Sequence, residues 1–415
     1  MAEKATTLKF WIILLFFPGF GFSSVAQDLI RARKNLEKLS SPSFAGRGYL
    51  EGGHKKAARF LQKSFKKLGL SPLNGSYYQE FTIEQNVFPR DPELILNGRR
   101  LTTGKDYLPA PECPETAGQF RIFRWDSLGV PGNASAQTGK AWLFDKKTLK
   151  QWKNSGTAGS ATPGLFLQSE DKLTHSLAVA PEFPPRILIK KESLLPTDSV
   201  LDVRIYSKSS RITTRNVMGV VKGTRFPDSL LVVCAHYDHL GKIGRSTLFP
   251  GAGDNASGTA IMLELAAWFS KNPLPYSVLF IAFSAEEAGL LGSRYFVQHP
   301  PVPLGNIRFV MNLDLIGFGD KGATVVNGTV HEKEFGRLQA INRSKGYLPV
   351  INARGRAANS DHFPFSEKGV PAFFLYTLGG PGHYHDIYDK ADTVTLSGFP
   401  SVFGLIRDFL QGFFP

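Results

Sequence analysis

Four apolar runs in the C-terminal half constrain the fold of this chain more than any other feature. They are Ser-Leu-Leu-Val-Val-Cys-Ala (229–235), Ser-Val-Leu-Phe-Ile-Ala-Phe (277–283), Ile307 to Leu315 and Val370 to Tyr376. Runs without polar alternation are buried on both faces, the condition of strands inside a largely parallel sheet covered by helices. Between the first two lies 256–269, apolar on most sides, which reads as a well-buried helix. Strands alternating with helices predict an α/β fold: a mixed, largely parallel central sheet with helices on both faces.

The remaining sequence divides around this core. Asp28 to Leu39 reads as a short helix, and His54 to Lys67 repeats apolar residues at Ala57, Phe60, Leu61 and Phe65 with helical spacing. From 89 to 213 prolines and glycines are frequent and the strands are short (120–123, 141–144, 164–167), so a smaller, mostly β inserted domain is expected there. The catalytic domain would then comprise 27–88 and 214–415. Residues 1–26 read as a cleavable signal peptide: Lys4 and Lys9, an apolar stretch from Phe10 to Phe22, and Ser24-Val25-Ala26 before the cut. The apolar stretch is too short to span a bilayer, so a secreted or periplasmic protein with no membrane span after cleavage is expected.

Lys and Arg number 49 against 35 Asp and Glu, a net +14, yet no basic run is interleaved with aromatics, which argues against a nucleic-acid partner. The two cysteines, Cys113 and Cys234, exclude a disulfide scaffold and a sulfur-rich metal site. Any metal must be held by imidazole and carboxylate, a donor set that suits zinc.

The polar residues of interest follow the apolar runs. His236, Tyr237, Asp238 and His239 come directly after one, Glu286 and Glu287 after another, and Asp314 at the end of a third. Ligands in open α/β sheets bind beyond the carboxyl ends of the strands, so these groups are expected to converge on one crevice. Singly, each has a plainer reading: His236 a satisfied strand-end histidine, Asp254 a helix cap, Asp314 a turn residue, His385 a surface residue. Jointly they are harder to set aside, because adjacent carboxylates after a buried strand repel one another unless a cation compensates. Three carboxylates (Asp254, Glu287, Asp314) and two imidazoles (His236, His385) match two divalent cations. Alternation along an extended chain puts Asp238 on the side of His236, where it would accept a hydrogen bond from that ring. The same alternation points Glu286 and Glu287 apart, giving one ligand and one base without fixing which is which.

With those residues in view the chain resembles the co-catalytic zinc aminopeptidases of family M28. The matching segments are Ala-His-Tyr-Asp-His (235–239), Gly-Ala-Gly-Asp-Asn-Ala-Ser-Gly (251–258), Phe-Ser-Ala-Glu-Glu-Ala-Gly-Leu-Leu-Gly-Ser (283–293), Asn-Leu-Asp (312–314), Ser-Asp-His (360–362) and Tyr-His (384–385), with Gly46-Arg47-Gly48 near the start. The resemblance implies two Zn2+ per chain, His236 and Asp314 on one, Glu287 and His385 on the other, Asp254 between them and Glu286 as general base. It implies peptide substrates cleaved at the N-terminus, and a protease-associated-like domain at 89–213. His383 competes with His385 for the last ligand position. Asn359, Asp361, His362 and Tyr384 are candidates for the substrate pocket. A carboxypeptidase or dipeptidase using Arg354 or Arg356, a glutaminyl cyclase with one zinc, and a non-catalytic binding protein are the rival readings.

Overall fold

The computed structural model describes residues 28–125, 139–154 and 164–413. The expected signal segment lies outside the described residues. Among those described, no helix is long and apolar enough to cross a membrane.

The main sheet has eight strands, in spatial order Tyr78–Val87, Lys208–Val221, Tyr276–Phe283, Phe226–His236, Ile307–Leu313, Ala372–Thr377, Ala323–Val326 and Ile351–Arg354. Its centre is parallel, Phe226–His236 pairing with Tyr276–Phe283 on one side and Ile307–Leu313 on the other. Antiparallel pairings lie on either side of that centre. Each of the four apolar runs falls on one of these central strands. Leu231, Val233 and Ala235 face the layer containing helices Leu29–Ser40, Gly53–Lys67, Gly258–Lys271 and Phe399–Gln411. Leu230, Val232 and Cys234 face Phe296 and Phe365, from helices Leu291–Gln298 and His362–Glu367. Both faces are covered, which is why the run shows no alternation; fully burying each Val or Leu stabilises the fold by about 1.5–3 kcal/mol.

A second eight-stranded sheet is built from residues between Glu93 and Ile205, with the helix Lys146–Asn154 beside it and a core of its own around Leu94, Leu108, Leu167, Ile187 and Leu201. The strand Lys208–Val221 runs unbroken through residue 213. It pairs with Tyr78–Val87 along its first part and joins the main sheet at Tyr276–Phe283 through its last.

One buried group makes stability depend on pH. The His54 ring sits between the carbonyls of Gly48 and Thr213, 3.2 and 3.4 Å away, and burial lowers its pKa to about 4. The unfolded chain, at an ordinary ~6.5, takes up its proton first as pH falls. The contribution of His54 is therefore complete above pH ~6.5 and is lost between there and pH 4, amounting to about 2 kcal/mol at pH 5. Urea midpoints of metal-free protein at pH 7 and pH 5 test this: His54→Asn should reduce the difference between them, and parallel behaviour of variant and wild type would contradict it.

Candidate metal centre

The crevice forms at the carboxyl ends of the parallel strands. From Phe226–His236 the chain crosses to a neighbour on one side and then to the other, so His236 stands at the switch in strand order, where facing loops separate and leave an opening. Asp314 follows directly on Ile307–Leu313, and Glu286 and Glu287 lie in the turn after Tyr276–Phe283.

Asp254 is placed by an irregular loop, Ala252–Ser257, that leads into the buried helix, with a cis peptide between Asp254 and Asn255. Asn255, not Asp254, serves that helix: its Oδ1 accepts from the Gly258 amide at 2.9 Å and its Nδ2 donates to the Leu313 carbonyl at 2.9 Å. The Asp254 carboxylate is thus left for other work. Two distant residues hold the loop. Arg47, fully buried, donates to the carbonyls of Pro250 (2.7 Å), Gly251 (2.6 Å) and Asp254 (3.1 Å), and also to those of Tyr237 and Leu39. The Asp389 carboxylate accepts from the amides of Gly253 at 2.7 Å and Asp254 at 2.9 Å. Gly46 must be glycine for Arg47 to enter, since its φ is +57° and a Cβ would lie 2.3 Å from the Phe249 carbonyl oxygen.

Around Asp254 the side chains form two groups. His236 Nε2 lies 3.2 Å from Asp254 Oδ1 and 3.2 Å from Asp314 Oδ1. His385 Nε2 lies 3.2 Å from Asp254 Oδ2 and 3.1 Å from Glu287 Oε2. Asp254 therefore turns one oxygen to each His–carboxylate pair. Asp314 is steadied by Ser360, whose hydroxyl donates to Oδ2 at 2.9 Å and accepts from Asn312 at 2.7 Å. Glu286 stands back, its Oε2 4.0 Å from His236 Nε2.

The electrostatics call for positive charge. Burial would lower the pKa of His236, but Asp314, Glu286 and the bonds to Asp254 and Asp314 outweigh it and hold it well above the ordinary value. For His385 burial is outweighed in the same way by Glu287 and Asp254, which raise it to about 11. Burial and Asp254 push Glu287 up, yet His385 and His239 bring it down to about 2. Glu286 goes the other way: burial, with Glu287, Asp314 and Asp361 close by, raises it well above the carboxylate range despite His236. The donors are nitrogen and oxygen: His236, Asp254 and Asp314, and likewise His239, Asp254 and Glu287, offer atoms within bonding span of a common point, His385 Nε2 lies beside the second group, and the buried negative charge needs cations; zinc fits this set.

Several expectations need correction. Glu286 and Glu287 do not diverge as on a strand. Ala285, at φ +60°, turns the chain so that both carboxylates reach the cluster. The His236 Nδ1 partner is the Asp238 carbonyl at 3.2 Å, while the Asp238 carboxylate, 3.8 Å off, accepts instead from the Tyr49 hydroxyl and the Glu286 amide. Asp361 and His362 are buried where their short helix begins and do not form pocket walls; burial raises Asp361 to about 7. Asn359 is exposed, with no hydrogen bond to the cluster among the described contacts. Tyr384 does reach the opening, half-exposed and stacked on the His385 ring at 3.9 Å between centroids. His383 points elsewhere, its Nδ1 3.6 Å from Asp386, so His385 is the histidine brought to the cluster. Beside the cluster a cavity of about 140 Å³ is lined by Gly253, Leu315, Phe318, Tyr384 and Asp389, among others.

His239 is among the groups expected to converge but has no role assigned from the sequence; its Nδ1 lies 2.6 Å from Glu287 Oε1 and it groups with Asp254 and Glu287. Its place in Ala-His-Tyr-Asp-His was the available signal. Nothing local in the sequence pointed to Asp389.

Comparison with known proteins relates the chain to peptidases. Residues 216–410 match the peptidase family M28 model. Aminopeptidase YwaD of Bacillus subtilis (strain 168) is 27% identical over 350 residues, covering 81% of this chain and 72% of its own. A probable zinc metalloprotease of Pyrenophora tritici-repentis is 35% identical over 115 residues, only 24% of its length. The zinc aminopeptidase BSAP from Bacillus subtilis shares the fold, with a TM-score of 0.68 at 22% identity over 92% of this chain and 94% of that one. Every group of the cluster lies within 216–410, the residues that match the peptidase family M28 model.

Proposed function

We propose that this chain is an exported metallopeptidase that removes N-terminal residues from peptides at a dinuclear zinc centre. His236 and Asp314 would hold one zinc, Glu287 and His385 the other, with Asp254 shared. The observation that carries this reading is the division of the Asp254 carboxylate, one oxygen toward each His–carboxylate pair. We assign the main sheet and its helices to the catalytic unit and the second sheet, Glu93 to Ile205, to an inserted one; the expected boundary at 213 moves back because Lys208–Val221 is a single strand of the main sheet.

Zinc bound there would polarise the scissile carbonyl and make the attacking water more acidic. Glu286, as the carboxylate, would take the proton from that water and return it to the leaving amine. Its amide is bonded to Asp238 at 3.2 Å, which fixes the turn carrying it. Tyr384 borders the opening, and the cavity beside Gly253 and Leu315 has room for the side chain of the first substrate residue.

Hydrolysis of aminoacyl nitroanilides with free and with acetylated amines tests the reading. Cleavage of the free substrates alone is expected. Release of C-terminal residues from N-blocked peptides, with no action on free aminoacyl substrates, would overturn it.

A further inference from the structure

A segment that follows the second sheet reaches the cluster. Residues 171–178, which follow its strand Leu165–Glu170, lie against the loop that carries His385. Lys172 Nζ donates to the carbonyls of Gly382 at 2.7 Å and Tyr384 at 3.0 Å and pairs with Asp386 at 3.1 Å. His175 then makes a reciprocal pair: its amide donates to the His385 carbonyl at 2.9 Å, and its carbonyl accepts from His385 Nδ1 at 3.0 Å. The His175 ring is stacked on Phe249, 5.0 Å between centroids, which anchors the segment.

These contacts act nearest the ring: farther along the loop Ile387 packs on the second core and Asp389 holds Gly253 and Asp254, while Lys172 and His175 hold Gly382, Tyr384 and His385 themselves. His385 itself is held at φ +57°, a conformation L-residues adopt reluctantly, and it is through Nδ1 that its ring is oriented. When Nδ1–H donates to a carbonyl, Nε2 is left as the acceptor, and Nε2 is the atom facing Asp254 and Glu287.

Resting on the function proposed above, we infer that Lys172 and the main chain of His175 form a clamp by which the second sheet positions His385 and so sets the affinity of one of the two zinc sites. Lys172 is a positioning residue in this account and touches neither metal nor substrate. Its side chain is 44% exposed, so removing its amine should leave the fold intact.

The test is zinc binding by the full-length chain, followed by competition with a chelator. Lys172→Met should hold one zinc as the wild type does and bind the other more weakly, by up to the roughly 10–100-fold that loss of a metal ligand's own outer partner costs. Lys172→Arg should recover part of that loss, and the melting temperature of the metal-free form should be unchanged in both. Wild-type affinity at both sites in Lys172→Met would overturn the clamp alone, as would equal weakening of both sites with a lowered metal-free melting temperature. A wild-type chain that takes up no zinc would overturn the clamp together with the functional reading beneath it.

Discussion

Glu286→Ala is expected to lower kcat for an aminoacyl nitroanilide by roughly 10²–10⁴-fold, the span attributed to a positioned acid–base group, while bound zinc stays at the wild-type count. The two adjacent glutamates have separate positions. Glu287 Oε2 is 3.1 Å from His385 and faces the same side as an Asp254 oxygen, whereas Glu286 Oε2 stays 4.0 Å from the nearest imidazole nitrogen. Their proton affinities diverge too, Glu287 falling to about 2 and Glu286 rising well above its ordinary range. Two neighbouring carboxyls driven apart in this way are suited to different tasks, one as a permanent anion and one as a carrier of protons. Metal analysis alongside steady-state rates decides the matter. A Glu286→Ala protein that loses zinc, yet turns over normally once zinc is restored in excess, would exchange the two roles.

Arg47→Met should have the largest effect on stability, at least about 3 kcal/mol, because buried acceptors left without donors cost about 1–3 kcal/mol each. Arg47 is fully buried and donates to five main-chain carbonyls, and no carboxylate takes part in those bonds. Burial lowers its pKa to about 10, with Asp389 and Asp254 working against that, so it remains a cation at neutral pH. Methionine keeps much of the volume but strands the carbonyls of Pro250, Gly251 and Asp254, on the loop that aims the shared carboxylate. Zinc affinity should fall together with stability. Urea denaturation of the metal-free protein measures the effect, and an unfolding free energy within about a few tenths of a kcal/mol of wild type would show that water or a rearranged loop satisfies those carbonyls.

The parts of this molecule that were legible in the sequence are those whose cause is local. The apolar runs identify the central strands because both sheet faces are covered, and His236 and Asp314 follow from their places at strand ends. The Glu286–Glu287 dipeptide was recognisable, but its geometry was not: an alternation rule holds for extended backbone, and Ala285 leaves that conformation. Asp238 fails for a related reason, since the carbonyl of the same residue reaches the His236 ring first. Arg47, Lys172 and Asp389 act on partners far away in the chain, Arg47 on Tyr237 and Gly251, Lys172 on Tyr384, Asp389 on Asp254. No periodicity or spacing reports such contacts. The Gly46-Arg47-Gly48 motif could be noticed as a resemblance, but its purpose becomes visible only when the loop around Asp254 is folded over it.

Whether Asp254 is shared between two cations is tested by anomalous scattering at the zinc edge from a crystal of the zinc-loaded protein. Two peaks roughly 3.5–4 Å apart are expected, the spacing of two-metal hydrolytic sites, one beside His236 and Asp314 and one beside Glu287 and His385, with an Asp254 oxygen directed to each. A single peak, or two peaks that leave Asp254 uncoordinated, would contradict that sharing.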